Sequence, residues 1–426
     1  MKDRLSVIGV GYIGLPLATT FAASGFDVAG LDVNPETIER INNGTIDESE
    51  PDLNKMVKKV IKSGKLKVTL NVDEALKDSD IFVICVQTPV NNNHESNLNH
   101  LKSSLILISK YLKKGDLIVI ESTIPPGTME FVVKPLLEDT GFKVGSDFFL
   151  AYCCENVFPT NILEETTHND KIIGCFDAES SKLAVKLYSR INDGTINTTN
   201  TKTAELVKIS ENVFRDVNIA LANEMAIIFN NMGADIRLII QLANHNKRVN
   251  IHNPGPGVGG SCLPKDPYFL INAAKKHGFE PKLIEAARKV NNSMPDYTLN
   301  LIKKSLANIE KNQSDAIVTI LGVTYKGDVN DTRNSPAKEI IEKLLPIIKE
   351  VRVHDFLSKE TFGGKSFNDL NDSIIGSDCV VILNNSTEYQ NIDFRKIREL
   401  MTDKSVIVDT VNIVNIEARD KNYFSI

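Results

Sequence analysis

Short runs of β-branched and large apolar residues recur through the first 200 residues, at 5–10, 27–32, 81–86, 117–121, 148–152 and 171–174, with helical-period segments between them. Runs of this length with no alternating polar position predict strands buried on both faces, hence a parallel sheet covered by helices. From about Thr203 the pattern changes. Residues 203–231 contain no Pro or Gly and carry Leu206, Ile209, Val213, Val217 and Ala220 at helical spacing, then an almost unbroken apolar stretch over 225–229. This predicts one long helix whose far half is buried, a second chain being one way to cover it. Further helix is predicted through Gln241, then a Pro/Gly loop over 253–260, then helical segments to about Asn308.

A third region begins at Asp315, where 316–322, 350–355, 379–383 and 405–409 again read as core strands. It echoes the first. Ser79-Asp80-Ile81-Phe82-Val83-Ile84 resembles Ser377-Asp378-Cys379-Val380-Val381-Ile382, and residues 117–121 resemble 405–409. The fold class read from this pattern is α/β: two Rossmann-like, doubly wound domains joined by a long central helix within a helical connector. The expected domains are residues 1–200, 201–310 and 311–426.

Composition narrows the function. The 426 residues are 42% hydrophobic and 24% charged, with formal net charge -6 and no basic block, which argues against nucleic acid or an anionic membrane as partner. No apolar run approaches the ~18 residues of a membrane span, and the N-terminus lacks a signal-peptide pattern, so a cytoplasmic protein is expected. The cysteines stand at 85, 153, 154, 175, 262 and 379 without CxxC spacing, and no histidine pair has metal-ligand spacing, so neither a disulfide framework nor a metal site is expected.

Two segments carry chemistry. Leu5-Ser6-Val7-Ile8-Gly9-Val10-Gly11-Tyr12-Ile13-Gly14 is a strand entering G-x-G-x-x-G, followed by a helix-compatible run over 15–23 with Pro16 near its start. Gly9 permits the tight turn, Gly11 lets backbone amides approach a pyrophosphate, and Gly14 lets helix and strand pack closely. Asp32 follows 18 residues after Gly14, where an acid bonds ribose hydroxyls and repels a 2′-phosphate. NAD is therefore the expected cofactor. The third region has no such glycine triplet at 322–327 and is built for another ligand.

The second is Asn253-Pro254-Gly255-Pro256-Gly257-Val258-Gly259-Gly260-Ser261-Cys262-Leu263-Pro264-Lys265-Asp266. No core helix or strand tolerates so many Gly and Pro, so this backbone approaches something bulky, and amides such as those of Gly259 and Gly260 suit a phosphate or sugar. Cys262 ends the loop just before a helical run at 267–274, where the helix N-terminus favours a thiolate. A buried structural cysteine is the plain alternative; Asp266 one turn later and the dinucleotide turn in the same chain favour a nucleophile. Lys208 and Asn212 are four apart and share a helix face, with Glu205 within a turn; alone, that spacing fits an ordinary solvated Lys–Glu pair as well. Residues 91–94 read as a surface loop.

Together these segments resemble the UDP-glucose/GDP-mannose dehydrogenase family over essentially the whole chain, through the Gly9–Leu17 turn, Thr88-Pro89, Glu121-Ser122-Thr123-Ile124-Pro125-Pro126-Gly127, Lys208-Ile209-Ser210-Glu211-Asn212, the Gly259-to-Asp266 segment, and the 322–328 segment with Asp331-Thr332-Arg333. The resemblance implies an NAD domain, a helical dimerisation segment making a homodimer, and a C-terminal domain for the UDP moiety. It implies two oxidations without release of the aldehyde. Lys208, Asp266 and an ordered water share removal of the alcohol proton, Asn212 helps hold the oxyanion, and Cys262 forms a thiohemiacetal and then a thioester. Glu155 and Thr123 match residues near the hydrolytic water. Thr88, Pro89, Thr123 and Arg333 match cofactor positions, Lys326 a nucleotide-sugar contact, and Arg248 an arginine reaching the neighbouring subunit's sugar site.

Residues 149–159 and 162–165 look like the branch acting on N-acetylated UDP-hexosamines, UDP-N-acetylmannosamine nearest and UDP-N-acetylglucosamine next. That branch commonly has proline and arginine where Cys154 and Asn156 stand, and often histidine in place of Ser261. UDP-glucose oxidation, a two-electron dehydrogenase, and a silent nucleotide-sugar binder stand as rival readings. Intact Cys262, Lys208, Asn212 and Asp266 argue against the last.

Overall fold

In the computed structural model, which describes residues 3–44, 46, 50–153, 157, 161–415 and 421–426, the apolar runs form strands because each feeds two cores at once. In Ile81–Ile84, residues Ile81 and Val83 enter one buried cluster, Phe82 and Ile84 the cluster on the opposite face. Cys379–Ile382 repeats this, Cys379 and Val381 on one side, Val380 and Ile382 on the other. That is why no polar alternate position marks them.

The chain divides into two units, Met1–Glu211 with Tyr268–Phe279, and Asn212–Pro267 with Glu280–Ile426. The first holds β1 (Arg4–Ile8), β2 (Asp27–Leu31), β3 (Leu66–Thr69), β4 (Ile81–Ile84), β5 (Leu117–Ile120), β6 (Phe149–Cys153), β7 (Lys171–Cys175) and β8 (Ile196–Asn200), in the order β3-β2-β1-β4-β5-β6-β7-β8. The winding reverses between β1 and β4, the point at whose carboxyl ends such sheets bind ligands. One pair departs from the all-parallel expectation: β7 runs antiparallel to β6, with Tyr152 opposite Gly174, and β8 follows parallel to β7. The second unit holds β9 (Ile317–Leu321), β10 (Glu350–His354), β11 (Lys365–Ser366), β12 (Cys379–Ile382), β13 (Val406–Asp409) and β14 (Tyr423–Ser425), all parallel, in the order β11-β10-β9-β12-β13-β14.

The internal echo extends to single atoms. Ser6 Oγ pairs with Ser79 Oγ at 2.5 Å and donates to Ala75 O; Thr319 Oγ1 pairs with Ser377 Oγ at 2.7 Å and donates to Ser373 O. Gly9 and Gly322 both have positive φ, 88° and 89°, and their amides donate to Leu31 O and His354 O. Val10 N–H donates to Asp32 Oδ2 as Val323 N–H does to Asp355 Oδ2. The two sheets solve the first β-to-helix turn in the same way.

The long helix spans Thr201–Asn231 and stops at Gly233, whose φ of 70° suits a helix C-terminus; Asp235 then caps a separate helix, Ile236–Ala243. Asp266–Lys276 and Lys282–Asn308 complete the helical set used below. The expected burial of the long helix's far half is incomplete. Phe214, Leu221 and Ile228, seven apart, are about half exposed, whereas Glu205, Lys208, Asn212, Asp216 and Asn223 are buried. Its buried side carries a polar stripe beside Ile209, Val213 and Ala226, and its exposed side carries an apolar stripe.

Candidate functional site

The β1 turn is built as the glycine pattern predicts. A Cβ on Gly14 would lie 1.8 Å from Gly9 O, and one on Gly9 would lie 2.7 Å from Cys85 O, so both glycines are sterically required. A Cβ on Gly11 would meet nothing within 4 Å. The exposed middle of the turn is thus open to a ligand, at the start of the helix Gly14–Ala23, where unpaired amides favour a pyrophosphate. Tyr12 and Ile13 are half-buried beside it. Asp32, just past β2, accepts from Val10 N–H and Asn34 N–H. These residues fit a bound NAD.

At the ends of β4 and β5 the structure brings Thr88 and Thr123 together: Thr88 Oγ1 donates to Thr123 O at 2.6 Å, and Ser122 Oγ donates to Val86 O at 2.7 Å. Pro89 starts the 90–96 loop and accepts from Asn97 N–H. That loop is tied down: the His94 ring stacks on Tyr268 at 3.8 Å, and Asn272 Nδ2 donates to His94 O. The 123–129 segment is anchored by Glu205, whose carboxylate accepts from Gly127 N–H at 2.6 Å and Met129 N–H at 2.8 Å.

Burial pushes the Glu205 carboxyl up to about 7, against those two amides, which favour its ionised form. A carboxyl whose folded pKa lies above its unfolded value of 4.5 lends stability at low pH and loses it as pH rises toward about 7. Wild-type stability should therefore fall across pH 4.5–7 by on the order of 3 kcal/mol relative to Glu205→Gln, which cannot titrate. Thermal melts of both proteins at half-unit pH steps check this; a constant difference across the range rules Glu205 out as the source.

The cysteine loop lies in the second unit. Cys262 is exposed, unlike Cys153, Cys175 and Cys379, which are buried. Burial pushes the thiols of Cys175 and Cys379 up to about 12. The loop's last turn is set by Asp266 N–H donating to Cys262 O at 2.8 Å. Asp266 is fully buried: Lys265 Nζ lies 2.8 Å from one carboxylate oxygen, and Asn212 Nδ2 donates to the other at 2.6 Å. Lys208 is buried one turn before Asn212 on the same helix.

Gly259 and Gly260 are required by packing. A Cβ on Gly259 would lie 2.5 Å from Tyr325 Cβ, and one on Gly260 would lie 2.9 Å from the Tyr325 ring. Gly260 N–H donates to Arg333 O and Gly260 O accepts from Asn334 Nδ2, both at 2.9 Å. Arg333 thus belongs to the cysteine loop, its guanidinium paired with Asp331 at 2.6 Å. That hydrogen-bonded pair holds the guanidinium above its usual pKa.

Beside this clamp lies a cavity of about 200 Å3, lined by residues 253–257, 324–326, 335–337 and 383–385 with Val411, at the β9/β12 switch point. Lys326 is exposed at its edge.

Arg248 is exposed on the turn after Ile236–Ala243. Glu155, with Cys154 and Asn156, lies outside the described residues. Two groups near Cys262 went unnoticed in the sequence. Lys265 sits inside the segment singled out, but only the structure pairs it with Asp266. Arg215 lies one residue short of a turn beyond Asn212; burial lowers its guanidinium's pKa, and nearby Cys262 and Tyr325 act in the opposite direction. Among the described residues no group of three or more His, Cys, Asp or Glu could hold a metal, and no helix is long and apolar enough to cross a membrane.

Residues 3–192, 202–293 and 319–416 match the NAD binding domain, central domain and UDP binding domain of the UDP-glucose/GDP-mannose dehydrogenase family. The chain is 42% identical to the UDP-N-acetyl-D-mannosamine dehydrogenase of Pyrococcus horikoshii, over 96% of each sequence, and 40% identical to that of Methanocaldococcus jannaschii, over 99% and 95%. Its fold superposes on the solved Pyrococcus horikoshii enzyme with a TM-score of 0.93 over 99% of both chains, at 41% identity. A UDP-glucose dehydrogenase from Pyrobaculum islandicum aligns with a TM-score of 0.88 at 28% identity, over 100% and 97%. With a required-glycine turn open for a dinucleotide, an exposed cysteine beside a buried Asn–Asp pair, and all three domains matched in order, the chain belongs to the UDP-glucose/GDP-mannose dehydrogenase family.

Proposed function

We propose that the protein is an NAD-dependent UDP-N-acetyl-D-mannosamine 6-dehydrogenase that carries the C6 hydroxyl to a carboxylate through covalent intermediates on Cys262. The observation that carries the reading is the exposed Cys262 thiol, at the end of a glycine loop clamped to Tyr325 and Arg333, one turn from the buried Asp266–Asn212 pair. The sugar follows from the relatives at about 40% identity, which bear that name. Residues 1–200 serve as the NAD domain, 201–310 as the dimerisation domain with the cysteine loop, and 311–426 as the UDP-sugar domain.

NAD, when bound, takes up a hydride at each of the two oxidations. The open turn at Gly11 receives its pyrophosphate and Asp32 its ribose, with Thr88, Pro89 and Thr123 beside them. Lys208 and Asp266, with a water, draw the proton from the alcohol, and Asn212 steadies the oxyanion. The Cys262 thiolate adds to the aldehyde carbon to give a thiohemiacetal, and the second oxidation leaves a thioester. Water held by Thr123 and Glu155 adds to the thioester, releasing the carboxylate and restoring the thiol. Lys326 and the Gly259 amide bind the nucleotide sugar, while Gly260, whose N–H donates to Arg333 O, keeps the loop in place with Arg333.

The test is NADH formation by the purified protein with NAD and, separately, UDP-N-acetylmannosamine, UDP-N-acetylglucosamine, UDP-glucose and GDP-mannose. Two NADH per sugar, with the N-acetylmannosamine substrate preferred, is the expected result. No NADH from any of them, despite binding of NAD and a UDP-sugar, would favour the silent binder.

The protein acts in the cytoplasm as a homodimer. Phe214, Leu221 and Ile228 form an exposed stripe on the long helix, Leu238 and Leu242 are exposed on Ile236–Ala243, and a second copy of this chain would cover such apolar side chains. Light scattering after gel filtration should give twice the 47.1 kDa chain mass, and Leu221→Lys should give the monomer. A wild-type monomer at micromolar concentration would refute the dimer.

A further inference from the structure

The segment before the cysteine loop has no regular secondary structure at 249–255, and Pro254 contributes no N–H. Five of its backbone groups are bonded to asparagine side chains. Asn218 Nδ2 donates to Asn250 O at 2.8 Å while its Oδ1 accepts from His252 N–H at 2.9 Å. Asn244 Oδ1 accepts from Ile251 N–H at 2.8 Å and its Nδ2 donates to Ile251 O at 2.9 Å. Asn223 Oδ1 accepts from Gly255 N–H at 2.9 Å. Irregular backbone is here held by side-chain amides that replace a secondary-structure ladder.

Asn223 is also the end of a chain of bonds through the helical core. Its Nδ2 donates to Asn291 Oδ1 at 2.9 Å, and Asn291 Nδ2 donates to Asp216 O at 2.9 Å and Asp216 Oδ1 at 2.8 Å. Arg288 Nη1 lies 2.6 Å from the same carboxylate oxygen. Asp216, Asn223, Arg288 and Asn291 are all at most 3% exposed. A carboxylate only accepts, so Asn291 must turn its NH2 toward Asp216 and its oxygen toward Asn223. Asn223 must then turn its NH2 to Asn291 and its oxygen to Gly255. The buried anion thus fixes both amide orientations, and bonds of this kind polarise one another.

Gly255 lines the 200 Å3 cavity; Asn223 does not. We infer that Asn223 is a positioning residue for nucleotide-sugar binding, holding the 253–257 wall of that cavity in place through Gly255 from a core oriented by Asp216. The inference rests on the reading that this cavity takes the nucleotide half of the substrate.

Two variants test it, Asn223→Ala and Asn223→Asp, with UDP and NAD as separate calorimetric probes and the Michaelis constants for UDP-N-acetylmannosamine and NAD alongside. Asn223→Ala should weaken UDP binding and raise the sugar KM by about tenfold, since Gly255 N–H loses its acceptor, while NAD affinity stays unchanged. In Asn223→Asp an ionised carboxylate faces the Asn291 oxygen, and only its protonated form can donate there. UDP affinity of that variant, relative to wild type at the same pH, should be low at pH 8 and recover toward pH 5.5. A filler role in the core would lower the melting temperature without this selectivity or acid rescue. Unchanged UDP affinity in both variants, or equal loss of UDP and NAD binding, overturns the inference. A wild-type protein that does not bind UDP overturns the reading of the cavity, and the inference with it.

Discussion

Cys262→Ser should stop formation of the uronic acid, by roughly 10³-fold or more, and cut NADH yield from two per sugar toward one. An aldehyde has no hydride to surrender until a nucleophile adds to its carbon. A thiolate does this well at neutral pH; a serine hydroxyl with no dedicated base does it poorly, and an oxygen ester would hydrolyse by a different route. The first oxidation needs only removal of the alcohol proton, so it should persist slowly, and semicarbazide should trap the aldehyde. The assay is NADH yield with chromatography of the sugar products. Acid formation by Cys262→Ser at the wild-type rate would sink the covalent step and favour a simple two-electron dehydrogenase. Iodoacetamide gives a second measure: it should label Cys262 first, because Cys153, Cys175 and Cys379 are buried and the last two carry strongly raised thiol pKa values.

The strands legible in the sequence are those with both faces buried. β4 and β12 are apolar at every position and stand out as continuous runs. β3, β8, β11 and β14 escaped notice, and all are at sheet edges. β8, Ile-Asn-Thr-Thr-Asn, has no fully buried residue, so its pairing with β7 rests on backbone bonds that leave no apolar trace. The antiparallel turn at β7 was equally invisible, because strand direction is set by the path of the connection and not by side-chain burial.

The site divides along similar lines. Gly9, Gly14, Gly259 and Gly260 were legible because only glycine meets their steric demand. The polar stripe of the long helix was half legible: Lys208 and Asn212 are visible as a pair one turn apart, but Asp216 and Asn223 continue the same face among apolar neighbours and look like solvated positions. Hydrophobic periodicity assigns polar residues to the outside. In this helix that assignment is partly reversed, with carboxylates and amides inside beside Ile209, Val213 and Ala226, and Phe214, Leu221 and Ile228 outside.

That reversal makes Arg288→Met the substitution with the largest expected effect on stability. Arg288 and Asp216 form an ion pair at 2.6 Å with side chains 4% and 0% exposed, and Asp216 Oδ2 has no hydrogen-bond partner among the described residues. Burial already raises the Asp216 carboxyl pKa, although Arg288 and Asn291 pull it down. Removing Arg288 alone strands a buried anion and should cost about 3–5 kcal/mol, which for a unit of this size lowers the melting temperature by roughly 10 °C. The deficit should shrink on acidification, because a carboxyl with a raised folded pKa stabilises the fold in its protonated form and loses that contribution as pH rises. Asp216→Asn with Arg288→Met removes the stranded charge while Asn291 keeps an acceptor. The double variant should therefore be more stable than Arg288→Met alone, with a coupling of about 2 kcal/mol in the cycle. Melts of wild type, both single variants and the double variant at pH 5.5 and 8 decide the matter. Additive losses, or an Arg288→Met penalty equal at the two pH values, would mean that Asp216 is not held as an anion by Arg288 and that the core does not depend on this pair.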